Sequence, residues 1–294
     1  VKRTSPIAAF AVACLGIAVF SSMDAAVKAL SLAIGTYNTL LWRGFAGIGF
    51  SAIPWLWSRP TRPSRTAMRL HAERGVITAV MAMFFFWGLA RTPMAQALAL
   101  SFIAPLIAQG LAVVMLKERM QRGALAGSAL GFAGVVVILW GQAQAELGHE
   151  AFLGAMAVLL SAILYAYNLI LMRKQAQIAD PYEVSFFQSV FMGLALALAM
   201  PWFAHLPPVE HVPLILFAAV LATISLALLS WAYARAEASY LVPVEFTGFI
   251  WASLWGFVFF GEKVGIPTLA GAGLIVVGCL IAARAPTMER DVIP

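Results

Sequence analysis

Ten long apolar runs, near residues 10–33, 37–57, 75–91, 94–116, 123–141, 152–172, 183–204, 213–235, 238–260 and 267–284, leave this chain few ways to fold. A membrane span needs about 20 predominantly apolar residues, and each run reaches or approaches that length. The sequence therefore predicts an all-α integral membrane protein of ten transmembrane helices. The longest polar segment, residues 58–74, is too short for a soluble catalytic or nucleic-acid-binding domain, so function must reside in the bundle. Composition agrees: 62% of the 294 residues are hydrophobic, 11% are charged, and the mean hydropathy is +0.90, far from the balance of a soluble domain. Lys2 and Arg3 precede the first run as they would in a signal peptide, but the run outlasts an ordinary signal core and reads as a retained first helix.

The net charge of +6 arises from topology rather than from an acidic partner. With the N-terminus inside, alternate segments collect fifteen of the nineteen Lys and Arg residues, including Arg59, Arg62, Arg65, Arg69 and Arg74 between the second and third runs. Arg91 and Lys263 fall outside, and Lys28 and Arg43 lie within spans. The positive-inside rule then places both termini in the cytoplasm and makes the plasma membrane, a bacterial inner membrane, the expected location. Cys14 and Cys279 sit in apolar runs and read as small buried hydrophobes. The four histidines fall in connecting segments without ligand spacing. Neither a metal site nor a hydrolase triad can be assembled, so no enzyme and no cofactor are expected. The expected partners are a small-molecule substrate and the bilayer, without nucleic acid, and the reading is compatible with a monomer.

Sliding the chain by 144 residues aligns "FFFWGLARTPMAQ" (84–96) with "LLSWAYARAEASY" (228–240). Without a gap, the same offset pairs Phe102 with Phe246, Glu118 with Glu262, Gly127 with Gly271 and Gly134 with Gly278; upstream the match thins, Phe45 and Gly47 meeting Phe191 and Gly193 only after a two-residue shift, and Asp24 faces Asn168. The predicted domains are residues 1–144 and 145–294, each of five spans. Because five is odd, the second repeat enters the membrane from the opposite side. Inverted repeats of this kind build transporters, with the substrate held near the midplane between halves that exchange conformations.

Residues "LLWRGFAGI" (40–48), the turn "ARTPMAQA" (90–97) and "LKERM" (116–120) ahead of a Gly-rich fifth run, in this order, resemble the drug/metabolite transporter superfamily, EamA type. Within it the chain is most similar to the YddG-type exporters of aromatic and other neutral amino acids. The resemblance implies a basket of spans 1–4 and 6–9 around a central cavity, spans 5 and 10 behind it, and alternating access. Other members of the superfamily carry cationic drugs, nucleotide sugars or phosphosugars. A proton-coupled cation antiporter is the nearest alternative, and a phosphosugar carrier would want more convergent Lys and Arg for phosphate.

Polar and aromatic residues inside the runs supply the candidate substrate site: Glu245, Asn168, Tyr165, Gln96, Ser101, Tyr240, Trp87, Trp231 and Trp251. An intramembrane carboxylate such as Glu245 is costly and defaults to a functional reading; its structural alternative is a counter-ion for Arg43 or Lys28. Trp87 and Trp231 are repeat equivalents that suit either an interfacial belt or the two ends of a cavity. In the first run, Asp24 and Lys28 lie four residues apart on one helical face, so the spacing predicts a mutual pair near mid-membrane, with Arg43 and Glu245 as a second pair. These charges either stabilise the bundle or open to receive a zwitterion. Gly123, Gly127 and Gly131, with Gly271 and Gly278, predict close helix contacts; at Gly127 and Gly271, Leu would overpack and Ala would be mild.

Overall fold

The computed structural model describes residues 6–58, 62–116, 122–144, 148–176, 178–233 and 238–283. Its helices are α1 (Pro6–Ile34), α2 (Thr36–Trp57), α3 (Arg65–Leu89), α4 (Met94–Ser101), α5 (Ala104–Leu116), α6 (Arg122–Gln144), α7 (Gly148–Ala176), α8 (Pro181–Ala197), α9 (Met200–Phe203), α10 (Val212–Tyr233), α11 (Ala238–Phe260) and α12 (Ile266–Ala283). No strand occurs among the described residues. Four helical segments, Ile7–Ile34, Arg65–Leu89, Gly148–Met172 and Val209–Leu229, are individually long and apolar enough to cross a membrane.

Among the described residues each predicted run is helical, but the seventh divides at Leu198 and Ala199 into α8 and α9, and the fourth is also two helices rather than one. Pro105 has no N–H for the carbonyl of Ser101, and the helix breaks at Phe102 and Ile103 before α5 resumes. Gly35 turns α1 into α2 with φ 82°, a conformation that favours glycine. The helix order then defines two ends of the bundle, named here for Pro6 and Gly35. The turns near residues 90–93, 148, 205 and 261 share the Gly35 end. There Asn38 donates to the carbonyl of Phe203 and accepts from the N–H of His205, while the Trp42 indole donates to the carbonyl of His205.

Packing follows the repeat numbering. α1 lies along α10 and α11, whereas α7 lies along α3 and along α4 with α5, the repeat-exchanged version of the same contacts. α2 packs on α8, and α6 packs on α12. Between α6 and α12 the contacting residues run in opposite directions. A Cβ on Gly271 would lie 2.5 Å from the carbonyl oxygen of Gly134, and one on Gly278 would lie 2.5 Å from that of Gly127. The two helices are therefore antiparallel, and their glycines meet as exchanged pairs.

This contact corrects one sequence expectation. Alanine at position 271 is not mild, because its Cβ would meet Ile138 Cγ1 as well as the Gly134 carbonyl at 2.5 Å, and backbone cannot step aside as a flexible side chain can. Gly271→Ala is expected to lose about 1–3 kcal/mol, the cost of overpacking, and Gly271→Leu more. Monodisperse yield and thermal unfolding in detergent check the order.

Candidate functional site

Ionisable groups inside the bundle gather at three places. Nearest the Gly35 end is a latch. Gly261, with φ 64°, turns the chain out of α11, and the N–H of Glu262 bonds back to the carbonyl of Gly256 at 3.0 Å. This fold-back sets the Glu262 carboxylate beside the start of α4. One oxygen accepts the N–H of Met94 at 2.7 Å, a first-turn donor that has no partner within its own helix. The other accepts from Lys28 Nζ at 2.5 Å. Lys28 also donates to the Thr92 carbonyl at 2.6 Å and lies over the Phe260 ring, 5.1 Å from its centroid. The predicted Asp24–Lys28 pair is thus not formed. Lys28 is only six residues from the end of α1, roughly 9 Å, and at that depth the α11–α12 turn reaches it with a carboxylate and the α3–α4 turn with a carbonyl.

One turn deeper lies Asp24, 4% exposed. Its electrostatic partner is Arg43 on α2, which replaces the predicted Arg43–Glu245 pair. No hydrogen bond joins them: Asp24 Oδ1 and Arg43 Nε are both buried without a partner. Arg43 Nη1 points at the Met23 sulfur, 3.8 Å away, and the guanidinium lies 6.0 Å from the Phe86 ring centroid.

The third group lies toward the Pro6 end, where α3, α7 and α8 meet. Arg74 is buried rather than in the loop to which the sequence reading consigned it. Its Nε donates to Asn168 Oδ1 at 3.0 Å, and its Nη1 donates to Gln175 Oε1. Gln175 bonds to His71 Nδ1 at 2.5 Å, and His71 Nε2 lies 2.9 Å from Glu183 Oε1. Phe187 stacks on the His71 ring. Tyr165 interacts electrostatically with both Arg74 and Glu245. Tyr165 on α7 is 41% exposed and Glu245 on α11 is also exposed, yet these helices do not pack closely together. The phenol and the carboxylate are thus within electrostatic reach of each other although their helices are not closely packed. Counting 1.5 Å per residue, Arg74, Tyr165 and Glu245 lie roughly 10–16 Å from the Pro6 end, and Asp24 and Arg43 lie at a similar depth from the Gly35 end.

The other candidates spread away from this grouping. Ser101 spends its hydroxyl on the Ala97 carbonyl one turn back, and Gln96 is buried with a partner of its own. Trp87 is capped by the Arg91 guanidinium 3.7 Å from its ring centroid, with Arg91 held in turn by Glu150. Trp231 and Trp251 pack into a second apolar cluster with Ala13, Ile17 and Val244. The Tyr240 side chain lies outside the described residues. Sequence reasoning missed Arg74, His71, Gln175 and Glu262. His71, Arg74 and Thr78 recur at intervals of three and four on α3, the period of one helical face, and Asn168 and Gln175 are two turns apart on α7. That periodicity was the available signal.

The EamA-like transporter family matches this chain twice, over residues 7–140 and 152–284. The chain belongs to the EamA-like transporter family. It is a multi-pass membrane transporter by that membership. A riboflavin transporter of Rhizobium johnstonii is 30% identical over 268 residues, covering 87% of this chain and 83% of its relative. The pseudopaline exporter CntI of Pseudomonas aeruginosa is 25% identical over 271 residues, with 90% and 92% covered. A solved crystal structure superposes over 96% of this chain and all of its own with a TM-score of 0.62 at 18% identity, a likeness of fold.

Proposed function

We propose that this family member exports small amphipathic metabolites, neutral and aromatic amino acids foremost, by alternating access between two inverted repeats in a bacterial plasma membrane with both termini cytoplasmic. What supports this reading is the Tyr165 phenol within electrostatic reach of both the Arg74 guanidinium and the Glu245 carboxylate, a grouping of opposite charges and an aromatic ring that suits one amphipathic solute. The antiparallel contact of α6 with α12 and the exchanged packing of α1 and α7 support inversion. The latch joins α1, the α3–α4 turn and the α11–α12 turn at the Gly35 end, which supports a state closed at that end. An exporter among the relatives supports the direction, and a relative named for riboflavin makes a larger aromatic solute worth testing beside amino acids.

The test is uptake into proteoliposomes competed with L-phenylalanine, L-tryptophan, riboflavin, a cationic dye and a phosphosugar. Saturable transport competed by the amino acids is expected; competition by the dye or phosphosugar alone overturns the substrate assignment. In intact cells, with Cys14 and Cys279 replaced by Ala, Pro208→Cys is expected to react with an impermeant maleimide and Arg62→Cys only after permeabilisation. The reverse pattern overturns the orientation.

A further inference from the structure

Six interior charges have been described, and four are engaged. Lys28 is held by Glu262 and the Thr92 carbonyl, Glu262 also caps α4, and Arg74 is held by Asn168 and Gln175. Glu245 has interactions of its own. Asp24 and Arg43 differ: they sense each other, yet each keeps a buried polar atom with no hydrogen bond. An intramembrane carboxylate left in this way is expensive, and a buried charge pair repays its desolvation only when its remaining hydrogen bonds are also made.

From this geometry we infer that Asp24 and Arg43 form a headgroup subsite, where Asp24 receives the ammonium and Arg43 the carboxylate of an amino acid, and where a proton competes with that ammonium for Asp24. The inference rests on the amino-acid reading above. An ammonium brings three donors to a carboxylate that lacks any, and the guanidinium edge at Nε suits a carboxylate. Met23 and Phe86 give the pair an apolar surround. The repeat sharpens the point. The 144-residue offset sets Asp24 on Asn168, so two equivalent positions each face an arginine. Asn168 is bonded to its arginine at 3.0 Å and cannot ionise, whereas Asp24 is unbonded and can.

The exchange balances. In the unloaded site a protonated Asp24 stands beside Arg43; loading breaks the carboxyl O–H bond, releases one proton, and leaves carboxylate on ammonium and guanidinium on carboxylate. One proton entering per amino acid leaving makes the cycle an antiport, and substrate affinity falls as pH falls. Other charges do not intrude. α10 carries no acid or base among its described side chains, and α8, packed on α2, has its acid Glu183 in its first turn at the Pro6 end, where His71 holds it. The charges of α3 lie toward the Pro6 end with Arg74, Glu245 on α11 senses Tyr165, and Lys28 on α1 itself is taken by the latch.

The experiment is calorimetric titration of the purified full-length chain with L-phenylalanine, 3-phenylpropionate and phenethylamine over a range of pH in weak buffer. Wild type is expected to bind L-phenylalanine most tightly, to release about one proton, and to lose up to about tenfold in affinity per pH unit on the acid side. Asp24→Asn should abolish proton release and the preference over 3-phenylpropionate, and Arg43→Gln the preference over phenethylamine. If either variant fails to fold, the wild-type ligand series still decides, since 3-phenylpropionate lacks the ammonium and must release no proton. Wild-type selectivity and proton release in a folded Asp24→Asn, or proton release by 3-phenylpropionate, overturns the subsite alone. No binding of either L-phenylalanine or L-tryptophan by wild type overturns the amino-acid reading and the subsite with it.

Discussion

Lys28→Met is expected to destabilise the protein by about 3–5 kcal/mol, the cost of stranding one partner of a buried ion pair. The side chain is 3% exposed and is the only ammonium that reaches Glu262 among the described residues, so its loss leaves one oxygen of the part-buried Glu262 carboxylate without a donor. The Met94 N–H still bonds the other oxygen, which keeps Glu262 in place and the charge uncompensated. Lys28→Met/Glu262→Gln removes both charges and is expected to recover most of the loss, because Gln can still accept from Met94. Thermal unfolding of the two variants in detergent measures the coupling. A double variant no more stable than the single one would mean that the pair contributes by shape rather than charge. Transport separates fold from gate: these bonds tie three segments together at the Gly35 end, so the folded double variant is expected to open there more readily. A cysteine at Tyr165 should then gain reactivity to maleimide from that side.

The reason Lys28 was assigned the wrong partner is general to bundles of this kind. Apolar length is a local property, and it located every helix; even the break at Pro105 could have been read from one residue. Depth and partner are not local. Asp24 and Lys28 look equivalent in sequence, four apart in one apolar run, yet α1 spans about 43 Å at 1.5 Å per residue, more than the hydrocarbon core of roughly 30 Å. One of the two therefore lies near the middle and the other near the rim, where a turn 234 residues away supplies its carboxylate. Arg74 failed for the converse reason. Five arginines between the second and third runs satisfied a topology rule collectively, and the rule cannot say that one of them turns inward to Asn168. The glycine ridge was legible as a contact, but not as a contact with carbonyl oxygens, and that difference decides whether alanine is tolerated.

The second large effect is expected at Arg74. Arg74→Met should lower transport by about 10–100-fold, the equivalent of 1.5–3 kcal/mol for hydrogen bonds to a charged group. Asn168 and Gln175 would lose the donor they share. Tyr165 would lose the cation that offsets Glu245. A purely structural guanidinium predicts a different pattern from one that shapes the solute's path. Gln175 is wholly buried and links Arg74 to His71, and through it to Glu183 on α8. Gln175→Leu therefore leaves the charge in place while releasing its orientation. If Arg74 acts on the solute, Gln175→Leu should raise KM with little change in maximal rate, Arg74→Lys should restore part of the activity lost in Arg74→Met, and all three should unfold within a few degrees of one another. If Arg74 only ties α3 to α7, transport should track unfolding temperature across the series, and Arg74→Lys should transport no better than a Met variant of equal stability. The guanidinium has two of its nitrogens bound by neutral amides and lies within electrostatic reach of the Tyr165 phenol, an arrangement that holds a cation in place without neutralising it. That arrangement favours the first pattern.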